Sequence, residues 1–294
     1  EGWAIQEFEY KNGVMRSNSF WGKNGERVEI LGVHKYIYEI DDCGFVISQS
    51  AYDKELRPTI NTQIGAHKVV NLYDSNRRNI GRDYFDAINS SPFVCIRLKL
   101  NQRGMQIEQS SYNAQMELIE SSLNYGVATI QSEYDIQDRI THTCATNSRG
   151  KKMNTSYGVA EAFFSYDNDV YETVCLDSQG KIVNNSSMTE PAAYMIFYMT
   201  DTGQRLFGKT IKRLYDDELE IIRDAYCYDS QNQLVLLAIR CEDWQVQVYN
   251  AAKNKKYSFL SFEDEYDEYV HIVDSIQNDI EMKYGKPKFY KYVK

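Results

Sequence analysis

Tyr157-Gly-Val-Ala-Glu-Ala-Phe-Phe-Ser-Tyr166-Asp167 decides how the chain reads, because the chain writes it more than once. An earlier copy is Tyr125-Gly-Val-Ala-Thr-Ile-Gln-Ser-Glu-Tyr134-Asp135. In both, Gly and Asp stand nine positions apart, and the same interval joins Gly65 to Asp74 and Gly32 to Asp41. With the Gly as position zero, units begin at Gly2, Gly32, Gly65, Pro92, Gly126, Gly158 and Ala192. Their position-nine turn residues are Lys11, Asp41, Asp74, Asn101, Asp135, Asp167 and Asp201. A period of this size marks an array of supersecondary units, each stacked on its neighbours.

A second turn follows the first at a near-constant interval: Lys11 leads to Lys23, Asp41 to Asp53, Asp74 to Asp86, Asn101 to Asn113, and Asp135 to Asn147, each 12 residues on. Asp167 leads to Asp177 after only 10. Gly and Asn crowd these sites, as in Lys11-Asn-Gly, Asp41-Asp-Cys-Gly, Asn101-Gln-Arg-Gly and Asp177-Ser-Gln-Gly. Such residues supply the positive-φ positions of tight hairpin turns. The stretch between two turns is one strand long, so each unit is expected to be a hairpin and the array an antiparallel meander. Alternation agrees: His34, Tyr36, Tyr38 and Ile40 fall on one face, as do Ala160, Ala162, Phe164 and Tyr166. Position-eight residues such as Tyr73, Tyr134 and Tyr166 are expected to make an aromatic ladder.

Composition supports strands. Tyr is frequent (24 of 294 residues) and Pro scarce (4), which suits a pleated surface that Pro would interrupt. The fold class expected is mainly β: an elongated, twisted antiparallel sheet of repeated hairpins over 1–216, with an α+β segment over 217–294. The join Ala114–Ser122 has the composition of a short helix. Near the end, Gln233–Ile239 is a continuous apolar run suited to a buried strand. Ser261-Phe-Glu-Asp264 fits a capping box, and the spacing of Tyr266, Tyr269, Val270, Val273, Ile276 and Ile280 predicts a helix near 262–284. Lys288–Val293 reads as a closing strand.

The net charge of −9 argues against a nucleic-acid partner bound by phosphate neutralisation. No apolar run has the length of a membrane span. Six scattered cysteines without a CxxC pair are expected to be free thiols, which favours a reducing, cytoplasmic setting. Glu1 is expected to continue from a longer natural chain.

The unit, Gly-Tyr/Val-Ala followed by Tyr-Asp and by a second Asp-x-x-Gly-Lys turn, resembles degenerate, long-period YD-type tandem repeats of bacterial proteins, distantly Rhs-like. Tyr125–Asp135, Tyr157–Asp167 and Asp177-Ser-Gln-Gly-Lys181 carry the resemblance, which spans residues 1–216. It implies an extended β-sheet acting as scaffold or binding surface, or as part of a toxin-encasing shell. The element order of the last 60-odd residues faintly resembles the second half of a PDZ domain, without a carboxylate-binding glycine loop. That likeness implies a peptide- or ligand-binding end with the repeats as spacer, and an enzymatic C-terminal domain in the same arrangement is the other alternative to a scaffold.

His34 and His67 share position two, where other units carry Ala4, Val94, Ala128 and Ala160. A slot that accepts Ala is a packing position. Two such imidazoles, two strands apart at roughly 9.5 Å, are too distant to share a metal. His142-Thr-Cys144 puts a thiol and a base on one strand face, the minimum for nucleophilic chemistry, but nothing supplies an oxyanion site. Asp201-Thr-Gly203 is expected to be a hairpin turn rather than a protease triplet. The chain is therefore expected to be non-catalytic, without metal or cofactor, and to bind a protein or another part of its own longer chain. The candidate face is His34, Tyr36, Tyr38, His67, Tyr73, Tyr134 and Tyr166.

Overall fold

The computed structural model describes residues 3–167, 170–187 and 192–199, the strand backbones of 205–213, 219–223, 225–228, 234–240, 245–250 and 255–260, and residues 271, 277, 278, 281, 282, 286–289 and 291. The chain divides into two compact units, residues 1–132 with 146–151 and residues 133–145 with 152–294.

The first unit carries β1 (Ile5–Lys11), β2 (Val14–Trp21), β3 (Lys35–Ile40), β4 (Val46–Tyr52), β5 (Lys68–Tyr73), β6 (Asn79–Phe85), β7 (Val94–Leu100) and β8 (Gln106–Tyr112), and it ends in β9 (Thr129–Tyr134). Strand order follows chain order and every pair is antiparallel. The second unit takes in β10 (Ile140–Thr146), β11 (Glu161–Asp167), β12 (Val170–Leu176), β13 (Tyr194–Met199), β14 (Arg205–Arg213) and β15 (Leu219–Arg223), again antiparallel and in order. Its remaining strands, β16 (Ala225–Tyr228), β17 (Leu234–Arg240), β18 (Gln245–Asn250) and β19 (Lys255–Leu260), form a separate four-stranded meander. The fold is mainly β and built of hairpins, as the repeat requires.

One turn recurs through both units. Asp41 Oδ1 accepts from the amides of Cys43 (2.9 Å) and Phe45 (2.8 Å). Asp53, Asp74, Asn101, Asn113, Asp135, Asn147 and Asp177 each accept from the residues two and four positions on. The fourth residue of each turn has positive φ: Gly44, Leu56, Arg77, Gly104, Met116, Asp138, Gly150 and Gly180. An Asp or Asn side chain that stands in for a backbone acceptor is why these residues recur there. The unit-opening glycines also sit at positive φ: Gly32 at 78°, Gly65 at 74°, Gly126 at 82° and Gly158 at 84°.

The structure moves some expected boundaries. Lys11 is not an Asp-type turn residue. Asn12 and Gly13, both at positive φ, form a two-residue loop between the paired Lys11 and Val14. The second turn of that unit opens at Gly22, one residue before Lys23, with Gly22 N bonded to Glu26 O. Asp167 pairs directly with Val170, so its loop is shorter and its interval to Asp177 falls short of the usual one. Ala192 bridges Asn185 as Val33 bridges Ile30, which puts it at position one and moves the unit start back by a residue. The helix expected over 114–122 is replaced by an Asn113 turn, a Tyr112–Leu118 bridge and a single 3-10 turn, Ser122–Asn124. Asn113 Oδ1 takes the amides that a helix start would otherwise leave free.

Between hairpins the chain folds back over the strands, and the core lies beneath these returns. In the first unit Ala66, Tyr84, Val94 and Ile96 are buried against Ile64, Ile119 and Leu123 of the return segments. In the second, Val159, Ala162 and Cys175 pack with Phe164 and Val183, and Val174, Ile196 and Tyr198 are fully buried. Cys43, Cys95, Cys144 and Cys175 are free thiols.

The apolar run Gln233–Ile239 is strand β17 from Leu234 on. Of the helix expected near 262–284, residues 271, 277, 278, 281 and 282 are helical. Within the expected closing strand Lys288 and Phe289 form a bend and Lys291 is in 3-10 conformation, which removes part of the PDZ-like order. The other residues of these two predictions, the Asp201 turn, and the side chains of β14–β19 lie outside the described residues. Among the described residues no helix is long and apolar enough to cross a membrane.

Candidate functional site

The face residues of the first unit are spent on holding its hairpins together. His34 is 1% exposed. Its Nδ1 lies 2.8 Å from Phe20 O and 3.2 Å from Val28 O. Both partners are carbonyls, so this nitrogen carries the proton and donates. His67 repeats the arrangement on Ala51 O (2.7 Å) and Thr59 O (3.3 Å). Each ring also meets an aromatic of the preceding hairpin edge-on, Trp21 for His34 and Tyr52 for His67. Where the slot holds Ala128, Asn124 Nδ2 and Ser111 Oγ donate to its carbonyl instead, at 3.0 and 3.2 Å. Position two is a clip between a hairpin and its return loop.

The tyrosines behave alike. Tyr36 OH accepts from Asn61 Nδ2 at 2.6 Å, and Tyr38 OH donates to Asn18 Oδ1 at 2.8 Å. Burial pushes both phenols above their usual range. Tyr73 OH donates to Val46 O at 3.0 Å, and its ring meets Phe45 of its neighbouring hairpin. The position-eight rings Tyr73 and Tyr166 meet aromatics at other positions, Phe45 in the turn before β4 and Tyr171 on β12 at 5.3 Å.

Tyr134 is half-buried, and Tyr166 lines a cleft in the second unit. That cleft, of about 430 Å³, is floored by His142, Phe163 and Tyr166, edged by Glu133, Asp135 and Arg139, and closed by Lys288 and Phe289. Strand pairing builds the floor, since His142 stands opposite Phe163 in the β10–β11 register. The two rings stack at 4.6 Å with an 11° interplanar angle. His142 Nε2 lies 2.9 Å from Glu161 Oε1 and its Nδ1 3.4 Å from Glu133 Oε1. Glu161 Oε2 also binds Lys152 Nζ. Burial raises the Glu161 pKa, but the hydrogen bonds from Lys152 and His142 outweigh it and hold the carboxyl below its ordinary range. Arg139 bonds Asp135 at 2.7 Å and lays its guanidinium 4.4 Å over the Tyr166 ring.

Cys144 stands opposite Glu161. Burial, followed by the Glu161 charge, pushes its thiol up, the reverse of what an activated nucleophile needs. The imidazole of His142 is already engaged by two carboxylates. His142 thus joins Glu133, Glu161 and Lys152 in one polar cluster.

Glu172, the residue that matters most here, carries no repeat or motif signal. It stands on β12 and is fully buried. Its Oε1 accepts from Tyr194 OH at 2.8 Å and from the backbone N–H of Phe289, 117 residues away, also at 2.8 Å. Among the described residues its Oε2 has no hydrogen-bond partner. Burial raises the Glu172 carboxyl pKa, against opposing hydrogen bonds from Tyr194, Phe289 and Lys288 and the Lys288 charge. The Phe289 ring meanwhile reaches Phe163 at 5.8 Å. A bend of the C-terminal segment is therefore seated on the sheet through the backbone of Phe289 on Glu172 and the ring of Phe289 on Phe163. The signal that could have found Glu172 is its setting, a lone carboxylate in Val170-Tyr-Glu-Thr-Val-Cys-Leu176.

No group of three or more His, Cys, Asp or Glu suited to a metal ion occurs among the described residues. No protein-family model and no curated protein matches the sequence. Among solved structures, TcdB2-TccC3 without its hypervariable C-terminal region is similar over 85% of this chain and 16% of its own, at 11% identity and a TM-score of 0.27. TcdB2-TccC3-TEV is similar over the same shares, at 12% identity and a TM-score of 0.20. The chain thus spans about one sixth of the length of these structures, and superpositions this loose say nothing about what it does.

Proposed function

We propose that this chain is a non-catalytic β-repeat scaffold whose sheet seats polypeptide segments, its own included. The single observation that carries this reading is the seating of Phe289 on Phe163 and on the buried Glu172. Two further features support it. The polar side chains of the repeat are engaged in turns and clips, and the Cys144 thiol is tuned away from nucleophilic chemistry. The likeness of the units to YD-type repeats agrees with a scaffold.

Hydrogen exchange of the full chain tests this reading. Phe289→Ala is expected to speed exchange in peptides spanning 159–176 and 284–291 by about ten-fold, the effect of losing roughly 1.4 kcal/mol of local protection. Peptides from residues 3–132 are expected to be unchanged. Equal exchange in the two proteins over 159–176 and 284–291 would contradict it.

A further inference from the structure

Arg57, Arg77, Arg78 and Arg97 of the first unit each hold a carboxylate. Arg82, on β6, does not: among the described residues its guanidinium has neither an ion pair nor a hydrogen bond. It stands opposite Ile96 of β7 and lines a cleft of about 210 Å³. The sheet forms one wall of this cleft, and Leu123 and Tyr125 of the return segment form the other.

Two residues along the same strand, Tyr84 lines the cleft from below. Its ring packs in the core with Ala66, Val94 and Ile96, and the residue is 8% exposed. A tyrosine this deeply set ordinarily finds a partner for its hydroxyl. The Tyr84 hydroxyl has none among the described residues and stays accessible from the cleft. Asn79, half-buried on the same strand, adds a side-chain amide that is likewise unengaged among the described residues. No Asp or Glu lines the cleft, in a chain that has 42 of them and a net charge of −9. Asp83, next to Arg82 in the chain, falls on the opposite face of the strand, where Arg97 holds it at 2.6 Å. What converges is a guanidinium, a hydroxyl and an amide, with no carboxylate to neutralise the arginine or repel a negative guest.

We propose that this cleft binds a small oxyanion, the carboxylate or phosphate group of a compact molecule. Arg82 takes two of its oxygens through the guanidinium fork. The Tyr84 hydroxyl donates from the floor, and the Asn79 amide donates from the side. The volume is below the roughly 300–1,000 Å³ of pockets for drug-sized ligands, which limits the guest to a few heavy atoms beyond the anionic group. All the groups involved belong to the first unit, so the proposal is independent of the seating of Phe289.

Amide spectra of the isotope-labelled full chain, titrated separately with inorganic phosphate, succinate and glucose at constant ionic strength, test it. Phosphate or succinate is expected to give saturable shifts at the amides of Arg82, Tyr84 and Leu98, with a Kd at or below about 1 mM. The tighter of the two identifies the anionic group. Arg82→Gln is expected to weaken binding about ten- to a hundred-fold. Arg82→Lys, which keeps the charge and loses the fork, is expected to weaken it about ten-fold, and it serves alone should Arg82→Gln fail to give a folded far-UV spectrum. Tyr84→Phe keeps the ring in the core and is expected to weaken binding about five- to ten-fold. Absence of saturable shifts up to about 10 mM of either anion overturns the proposal. So does an affinity unchanged by both Arg82 variants, or glucose binding as tightly as the anions.

Discussion

Leu56, Arg77, Met116 and Asp138 occupy the left-handed turn position that Gly44, Gly104, Gly150 and Gly180 occupy elsewhere. A side chain there costs roughly 1–2 kcal/mol. Met116→Gly is therefore expected to stabilise the first unit by about 1 kcal/mol, read as a higher urea midpoint. Gly150→Ala, where a Cβ would meet nothing within 4 Å, is expected to cost about the same through φ alone. Gly81 is different: its φ is ordinary, but a Cβ would stand 2.4 Å from Ile96 O on β7. Gly81→Ala is expected to cost about 1–3 kcal/mol by forcing β6 and β7 apart. His34→Ala removes the Nδ1–H donor shared by Phe20 O and Val28 O and is expected to cost about 1–3 kcal/mol, although Ala serves at the same slot in later units. At Ala128 the unit is tied differently, with Asn124 Nδ2 and Ser111 Oγ donating to the Ala128 carbonyl. The glycines of the repeat were legible in the sequence because positive φ selects them. Leu56 and Met116 were not, because the turn's Asp or Asn carries the pattern and leaves its fourth residue unmarked.

The hairpin is the next scale, and its turns titrate. In Asp74 the backbone amide of Arg78 is the largest influence, desolvation opposes it, and with the Arg78 guanidinium and the Asn76 amide added the carboxyl is held below its ordinary range. A lowered folded value means stability that is present above the ordinary carboxylate range and is lost as pH falls through the folded value. Asp74→Asn keeps the acceptor, as Asn101 and Asn147 do. The variant is expected to be less stable than the parent near neutrality, with the gap closing below about pH 4 in urea titrations across pH. Glu172 runs the other way. Its folded value is raised by burial, so stability falls as pH rises from the ordinary carboxylate value through the raised one. Glu172→Gln keeps an acceptor for Phe289 and Tyr194. It is expected to gain stability over the parent as pH rises from about 4 to 7. The hairpins and their turns could be read from Asp, Asn and Gly spacing. The Glu172 seat could not, because a strand pattern says which face a residue takes and nothing about which distant segment covers it.

At the scale of the molecule, the period was visible because each unit repeats one set of backbone demands: a positive-φ opening, a strand, an Asp or Asn turn and a strand back. Its phase drifted where loops changed length, at Lys11, Asp167 and Ala192. The contact that bears on function joins Glu172 to Phe289 across 117 residues, beyond the reach of any local pattern. The function proposed here depends on the units being equivalent, since a sheet of matched hairpins is what presents the seat. Residue-resolved amide exchange tests that equivalence most directly. The amides of His34, His67, Ala128 and Ala160 bond to the carbonyls of Tyr52, Phe85, Thr146 and Leu176. They are expected to be protected alike, while the amides just after the turn residues, at Asp42, Ser75, Gln102 and Ile136, exchange fast. Protection that fails to recur at those four amides, or that extends evenly through the turns, would contradict the repeated hairpin.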